Sequence, residues 1–228
     1  MKKDSKIASV LSILLIGLGI LIFLDILPFL FVWASLVATN NDDMILLQEK
    51  SIKTSVFKFQ KIYTRNSALS SLYLMKEYDK VIEYFKELED MNAVEPMNTT
   101  LAIMSYINVG DYNNALKYAK ESNNKSLLAK VYIKTKDFDK AKPIVDDLLA
   151  QKKSSLPALL YKSEILIHEN KIKDAEICID KILKINPNYI DALYIKAKIL
   201  NKYGKGDEAK RYTSRAKVLE MRRSNLYK

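Results

Sequence analysis

Hydrophobic and polar positions follow two different patterns along this chain. Residues 7–24 form a run without a charge, mostly Ile and Leu, and after Asp25 the apolar run resumes over residues 26–38. From residue 62 onward, apolar residues recur at three- and four-residue intervals in short blocks separated by polar turns, the spacing of amphipathic helices. Five blocks share one landmark. Val81, Ala115, Ala141, Ala175 and Ala209 take the same place in a helix-turn-helix pattern, at successive spacings of 34, 26, 34 and 34 residues. A fixed period of this size signals stacked repeats. The short spacing predicts that the second unit has lost about two helical turns.

The blocks agree in detail. The second carries Tyr106, then Gly110, Asp111 and Tyr112, then Ala115, Leu116 and Tyr118; the third has Leu128, Ala129, Tyr132, Asp137, Phe138, Ala141 and Val145. The fourth has Leu166, Ile172, Ala175, Ile179 and Ile182 before Asn186, Pro187 and Asn188. The first (Leu72, Tyr78, Val81, Phe85, Leu88) and the fifth (Ala197, Leu200, Ala209, Ala216, with Gly206 where an aromatic is usual) are weaker. On these residues, 62–220 resembles five tetratricopeptide repeats, whose period is 34 residues. The resemblance implies an all-α fold, an α-solenoid of about five helix-turn-helix repeats, here placed after the N-terminal apolar run, which is read separately below as a transmembrane helix. Each two-helix unit hides only part of its apolar stripe, and stacking buries the rest. Small residues such as Ala129, Ala141, Ala175, Ala197 and Ala209 let paired helices approach. Tyr78, Tyr112, Phe138 and Ile172 begin the second helices and are expected to pack across the turn as core. Pro143 is expected in a first helical turn capped near Asp139, where its missing donor matters little. The last helix is expected to run on through Arg223 and to cover the open end of the stack with its charged side.

Three segments follow: residues 1–38 as a basic N-terminus and membrane anchor, 39–61 as a membrane-proximal helix or connector, and 62–228 as the solenoid. Within the connector, Ile52, Val56, Phe59 and Tyr63 fit a helical face, while residues 56–62 also suit an extended piece.

A helix over residues 7–24 is about 27 Å long, close to the roughly 30 Å of bilayer hydrocarbon. Its thirteen strongly apolar side chains, at about 0.3 to 0.6 kcal/mol each, outweigh one Asp at about 2.5 to 3.5 kcal/mol. A single membrane pass is predicted, with two placements. In one, Asp25 lies at the headgroups and the stretch with Pro28 and Trp33 continues as an interfacial or kinked segment. In the other, Asp25 is buried and needs a partner within a membrane assembly. A cleaved signal peptide is the competing reading, but the apolar core exceeds the usual length of about 7 to 15 residues. Lys2, Lys3 and Lys6 precede the run, whereas the first basic residues after it are Lys50 and Lys53. Positive-inside counting therefore puts the N-terminus in the cytoplasm and the repeats outside it.

The net charge of +10 and the pI near 9.3 raise the question of an acidic partner. Only five of 37 basic residues are Arg, the side chain favoured for bidentate phosphate contacts, and lysines alternate with acids along most helices. A solvated helix face accounts for this charge and argues against nucleic acid. The basic stretch over residues 205–228 is the exception, and it leaves nucleic-acid binding as an alternative.

Chemistry is sparse. His168 lacks the second His four residues on that a zinc-protease helix needs, and Cys178 has no readable base, so it is taken as a structural thiol. No Gly-rich phosphate loop or nucleophile elbow occurs, and residues 204–207 form a turn between helices. The chain reads as a non-enzyme with no cofactor, no metal and no small-molecule substrate. What the resemblance offers is a concave face lined by the first helix of each repeat. Projected onto it, the candidate partner-binding residues are Tyr73, Met104, Asn108, Lys130, Lys134, Glu164, His168, Tyr194, Lys198 and Lys202. The Lys and Asn constellation by which some relatives clamp a peptide's terminal carboxylate is not evident there. The expected function is a membrane-tethered scaffold that binds a protein or peptide, by family analogy in envelope assembly, secretion or division. The alternative is an accessory subunit of a membrane complex held through Asp25.

Overall fold

The computed structural model describes residues 2–225, with side chains for residues 13–222. The side chains of Lys2, Lys3 and Lys6, which carry the orientation argument, and those of Arg223 and Lys228 lie outside the described residues. Every regular element among the described residues is helical. Helix α1 (Lys2–Leu36) and α2 (Asn41–Thr54) precede five pairs: α3 (Lys58–Leu74) with α4 (Tyr78–Asp90), α5 (Pro96–Val109) with α6 (Tyr112–Glu121), α7 (Lys125–Lys134) with α8 (Phe138–Gln151), α9 (Leu156–His168) with α10 (Ile172–Ile185), and α11 (Ile190–Lys202) with α12 (Gly206–Asn225). The fold is an α-solenoid of helix-turn-helix repeats. The chain divides within α5 into two compact units, one up to Leu101 and one from Ala102.

The five landmark residues are each the fourth residue of a second helix, and all are buried. The turn before them explains the registry. In each pair the first helix ends in a residue at positive φ: Lys76, Gly110, Lys136, Asn170 and Gly204. The following N–H donates to a carbonyl five residues back, from Glu77 to Leu72, Asp111 to Tyr106, Asp137 to Tyr132, Lys171 to Leu166 and Lys205 to Leu200, at 2.8 to 2.9 Å. A second, shorter-range bond from the left-handed residue completes a Schellman cap each time, for example Lys136 N–H to the Ile133 carbonyl at 3.1 Å. The residue that accepts the longer bond is always a large buried one. Cap and core are thus fixed by the same five positions.

The missing residues of the short repeat are shared, which corrects the sequence expectation. Helices α6 and α7 have 10 residues each, against 14 in α8 and α10 and 13 in α9 and α11. The second and third repeats each give up about one turn. Pro143 also departs from expectation. Because the cap at Asp137 starts α8 at Phe138, Pro143 lies in the second turn. It is exposed there, so the Asp139 carbonyl that its missing N–H would have bonded can reach water. The extended stretch suggested for residues 56–62 is confined to the cap residues of the α2–α3 turn, Ser55 and Phe57, and α3 is helical from Lys58.

The aromatics that begin the second helices behave less uniformly than expected. Tyr78 meets Tyr73 across its turn with ring centroids 5.6 Å apart, and Phe138 stacks on His168 at 4.3 Å. Tyr112 instead is 36% exposed. The position one period before His168 is Lys134, which offers no ring to cover it.

In the unit up to Leu101, α1 packs against α2 and α3. Its residues from Ile13 to Phe23 are exposed apart from Gly17, but from Leu24 onward one face is covered, with Val32 and Ser35 fully buried. Gln60 joins the helices. Its Oε1 accepts from the N–H groups of Val56 and Phe57 at 2.9 and 3.0 Å, while its Nε2 donates to the carbonyls of Leu24 and Asp25 at 3.1 and 3.0 Å. Pro28 has no N–H for the Leu24 carbonyl four residues back. Buried Gln60 supplies that donor from another helix.

Candidate functional site

Helices α7, α9 and α11 are the first helices of successive repeats in the unit from Ala102, and their polar residues fall at helical spacing. Ser126, Lys130 and Lys134 form one row, Tyr161, Glu164 and His168 a second, and Asp191, Tyr194, Lys198 and Lys202 a third. Helix α7 packs against α9. Tyr161 is buried, and burial pushes its hydroxyl up, with Ser126 of the neighbouring helix acting against the rise.

Glu164 lies at the electrostatic centre of this face. It is half-buried, and burial pushes its carboxyl up, against the pull of Lys134, Lys198 and Lys130 and with Asp191 adding to the rise. Burial likewise pushes the Lys130 ammonium down, while Asp191 and Glu164 act to raise it. Lys130 Nζ rests 3.2 Å from the Met104 sulfur, a soft acceptor. Neither Lys130 nor Glu164 forms an ion pair among the described residues. Several other carboxylates in this unit are matched: Lys196 contacts Glu176 and Asp180 at 2.9 and 2.5 Å, and Lys142 contacts Glu169 at 2.6 Å. A half-buried charge left without a direct partner is costly in isolation. The face can therefore offer both signs of charge to an incoming segment.

The structure gathers some of the expected residues and separates others. Met104, Lys130, Lys134, Glu164 and Lys198 are coupled as described. His168 is exposed at the end of α9 with its ring on Phe138, and Lys202 is exposed at the end of α11. Asn108 donates to the Met104 carbonyl at 2.7 Å, and the Tyr194 hydroxyl donates to Glu220 of α12 at 2.7 Å. Tyr73 is half-buried and packs against the core of the unit up to Leu101. Asp25 is exposed, with its Oδ1 3.5 Å from Gln60 Nε2. Sequence reasoning missed Asp191, Tyr161 and Ser126, each one helical step N-terminal to a residue that it named. Extending each row by three or four residues finds all three.

Nothing on this face pairs a nucleophile with a base. Burial pushes the Cys178 thiol up within the apolar core of α9 to α11, which disfavours the reactive thiolate. Among the described residues no group of three or more His, Cys, Asp or Glu is placed to hold a metal ion.

Residues 133–199, which include most of this face, match the family model described as tetratricopeptide repeat. That stretch carries tetratricopeptide repeats. One solved structure reaches a TM-score of 0.50 and shares the fold, and others are similar at lower scores. MamA from Desulfovibrio magneticus RS-1, resolved from residue 41 to its end, is 14% identical over 70% of this chain and 95% of its own, with a TM-score of 0.50. MamA MSR-1 is 15% identical over 71% and 98%, with a TM-score of 0.47. YrrB, described as a tetratricopeptide repeat protein with an unusual peptide-binding site, is 15% identical over 75% and 91%, with a TM-score of 0.45. No curated protein matches the chain. At these identities the likeness concerns the fold alone.

Proposed function

We propose that this chain is a membrane-tethered scaffold whose tetratricopeptide repeats bind a protein or peptide segment on the face formed by α7, α9 and α11. The observation that carries the reading is Glu164, half-buried and without an ion-pair partner among the described residues, set among Lys130, Lys134 and Lys198 on three successive first helices. Charges held this way are satisfied when a segment with complementary groups lies across them. Repeat scaffolds use such faces for binding, and the proposed role is recognition, without catalysis, cofactor or small-molecule substrate.

The anchor is α1, which contains a stretch, Ile13–Leu36, long and apolar enough to cross a membrane. Its exposed surface up to Phe23 supports the placement with residues 7–24 in lipid and Asp25 at the headgroups. Residues 1–38 then serve as anchor, 39–61 as connector and 62–228 as repeats. The lysine bias before the run favours an N-terminus in the cytoplasm and repeats outside it, where the scaffold would serve envelope assembly, secretion or division.

Reversal of Lys130, Lys134, Lys198 and Lys202 to Glu should abolish capture of the native partner while the helical circular dichroism spectrum is kept. Capture unchanged by all four substitutions would move the site off this face. Protease added to cells with an intact cytoplasmic membrane reads the topology: the repeats should be cleaved, and cleavage only after that membrane is opened contradicts repeats outside the cytoplasm.

A further inference from the structure

The bonds of Gln60 set the α2–α3 turn beside Leu24 and Asp25, at the point where α1 passes from exposed on all sides to covered on one. That turn is apolar and open. Val56 is 54% exposed, Phe57 38% and Phe59 56%. The rings are organised: Phe57 stacks on Phe59 at 6.0 Å, and Phe29 of α1 lies 6.2 Å from Phe59 and 5.0 Å from Tyr63. Exposed Lys53, Lys58 and Lys61 flank the turn, and none forms an ion pair among the described residues. Asp25 is the acid that Gln60 holds beside them.

In water this arrangement leaves three apolar side chains in a tight turn without cover. At a bilayer interface each part has a partner: aromatic rings at the boundary of headgroups and acyl chains, and lysines against anionic headgroups. We infer that the α2–α3 turn is a second membrane contact, in which Val56, Phe57 and Phe59 insert at the lipid interface and Lys53, Lys58 and Lys61 meet anionic lipid. The inference rests on the reading that α1 spans the membrane. Its consequence is positional. Because Gln60 ties the turn to Leu24 and Asp25, the turn sets the depth of α1 and keeps Asp25 at headgroup level.

The test uses the full chain in vesicles of phosphatidylcholine and phosphatidylglycerol, with Trp33→Phe as background and a single Trp placed by Phe57→Trp, Leu18→Trp or Tyr203→Trp. Emission is quenched with lipids brominated at shallow or deep acyl positions. The label at position 57 should be blue-shifted and lose most of its emission to shallow bromine, and the label at 18 to deep bromine. The label at 203 should be unaffected. Quenching at 18 with none at 57 overturns the inference and leaves the spanning anchor standing. No quenching at either position overturns both. Should Phe57→Trp disturb the turn, Val56→Trp in the same background gives an equivalent reading at the neighbouring exposed position.

Discussion

Helices α1 to α3 and the pairs from α7 onward are both helix-on-helix packings, yet they are filled with different side chains. Among the described residues, six of the ten buried polar ones, Ser35, Gln48, Ser51, Ser55, Gln60 and Thr64, belong to α1, α2, α3 and the α2–α3 turn. They bond to backbone and to neighbouring hydroxyls: Ser55 meets Thr64 at 3.2 Å, and Gln48 donates to Ser71 at 2.5 Å. The later pairs are filled by Ala at the crossing points and by Leu, Ile and Val between them. In the first region directional side-chain hydrogen bonds, satisfied within the packing, set how the helices meet. The Ala-centred core draws on water exclusion. We read the difference as a division of labour between the proposed anchor with its connector and the proposed scaffold.

The single Trp33 reports the first region by fluorescence, while circular dichroism is dominated by the repeats, so the comparison can be broken by mutation. Ile179→Ala opens a cavity in the fully buried core of α9 to α11 and should cost about 2 to 5 kcal/mol. The transition seen by circular dichroism should fall in denaturant, and that of Trp33 should stay. Gln60→Leu leaves two N–H groups and two carbonyls without their partner and should cost about 1 to 3 kcal/mol. Here the order reverses, and Trp33 should respond first in detergent. A Gln60→Leu variant with an unshifted Trp33 transition would mean that packing, not the polar bridge, holds α1 to α3.

The turns give a smaller and more uniform effect. Gly110 sits at φ 82° with open space around it, so Gly110→Ala meets only backbone strain, about 1 kcal/mol. Lys136 holds the same conformation at φ 60°, and Lys136→Gly should stabilise by a similar amount, near 1 kcal/mol. Paired melts in urea check both signs. The smallest effect is pH-dependent. Because the folded state raises the carboxyl of Glu164, it binds that proton more tightly than the unfolded chain does. Stability falls as pH rises from the ordinary carboxylate range through the raised value. Glu164→Gln should remove that decline and match the parent at low pH. A parallel decline in both would place the titration elsewhere.

Much of the solenoid is legible in the spacing of residues alone. The Ala positions report the repeats because each must sit at a helix crossing, and the large residue that closes each cap recurs with them. Gly110 and Gly204 announce their left-handed caps. Asn170 hints at one, since Asn tolerates positive φ, whereas Lys76 and Lys136 do so only through the period. The residues lost from the short repeat can be counted but not assigned, because spacing does not say which helix ends early. Gln60 escapes notice for a different reason: its partners lie 35 and 36 residues away, and a single polar residue in a mixed stretch carries no periodicity. The candidate face is found in part, with each row stopped one turn short of its N-terminal member.

The division of labour is tested most directly by photo-crosslinking in living cells, with a photoreactive residue at Lys134 in one strain and at Leu18 in another. The account predicts a discrete protein adduct from position 134 and only lipid adducts from position 18. A protein adduct from position 18 with none from 134 would contradict it and make this chain a subunit held through its apolar helix.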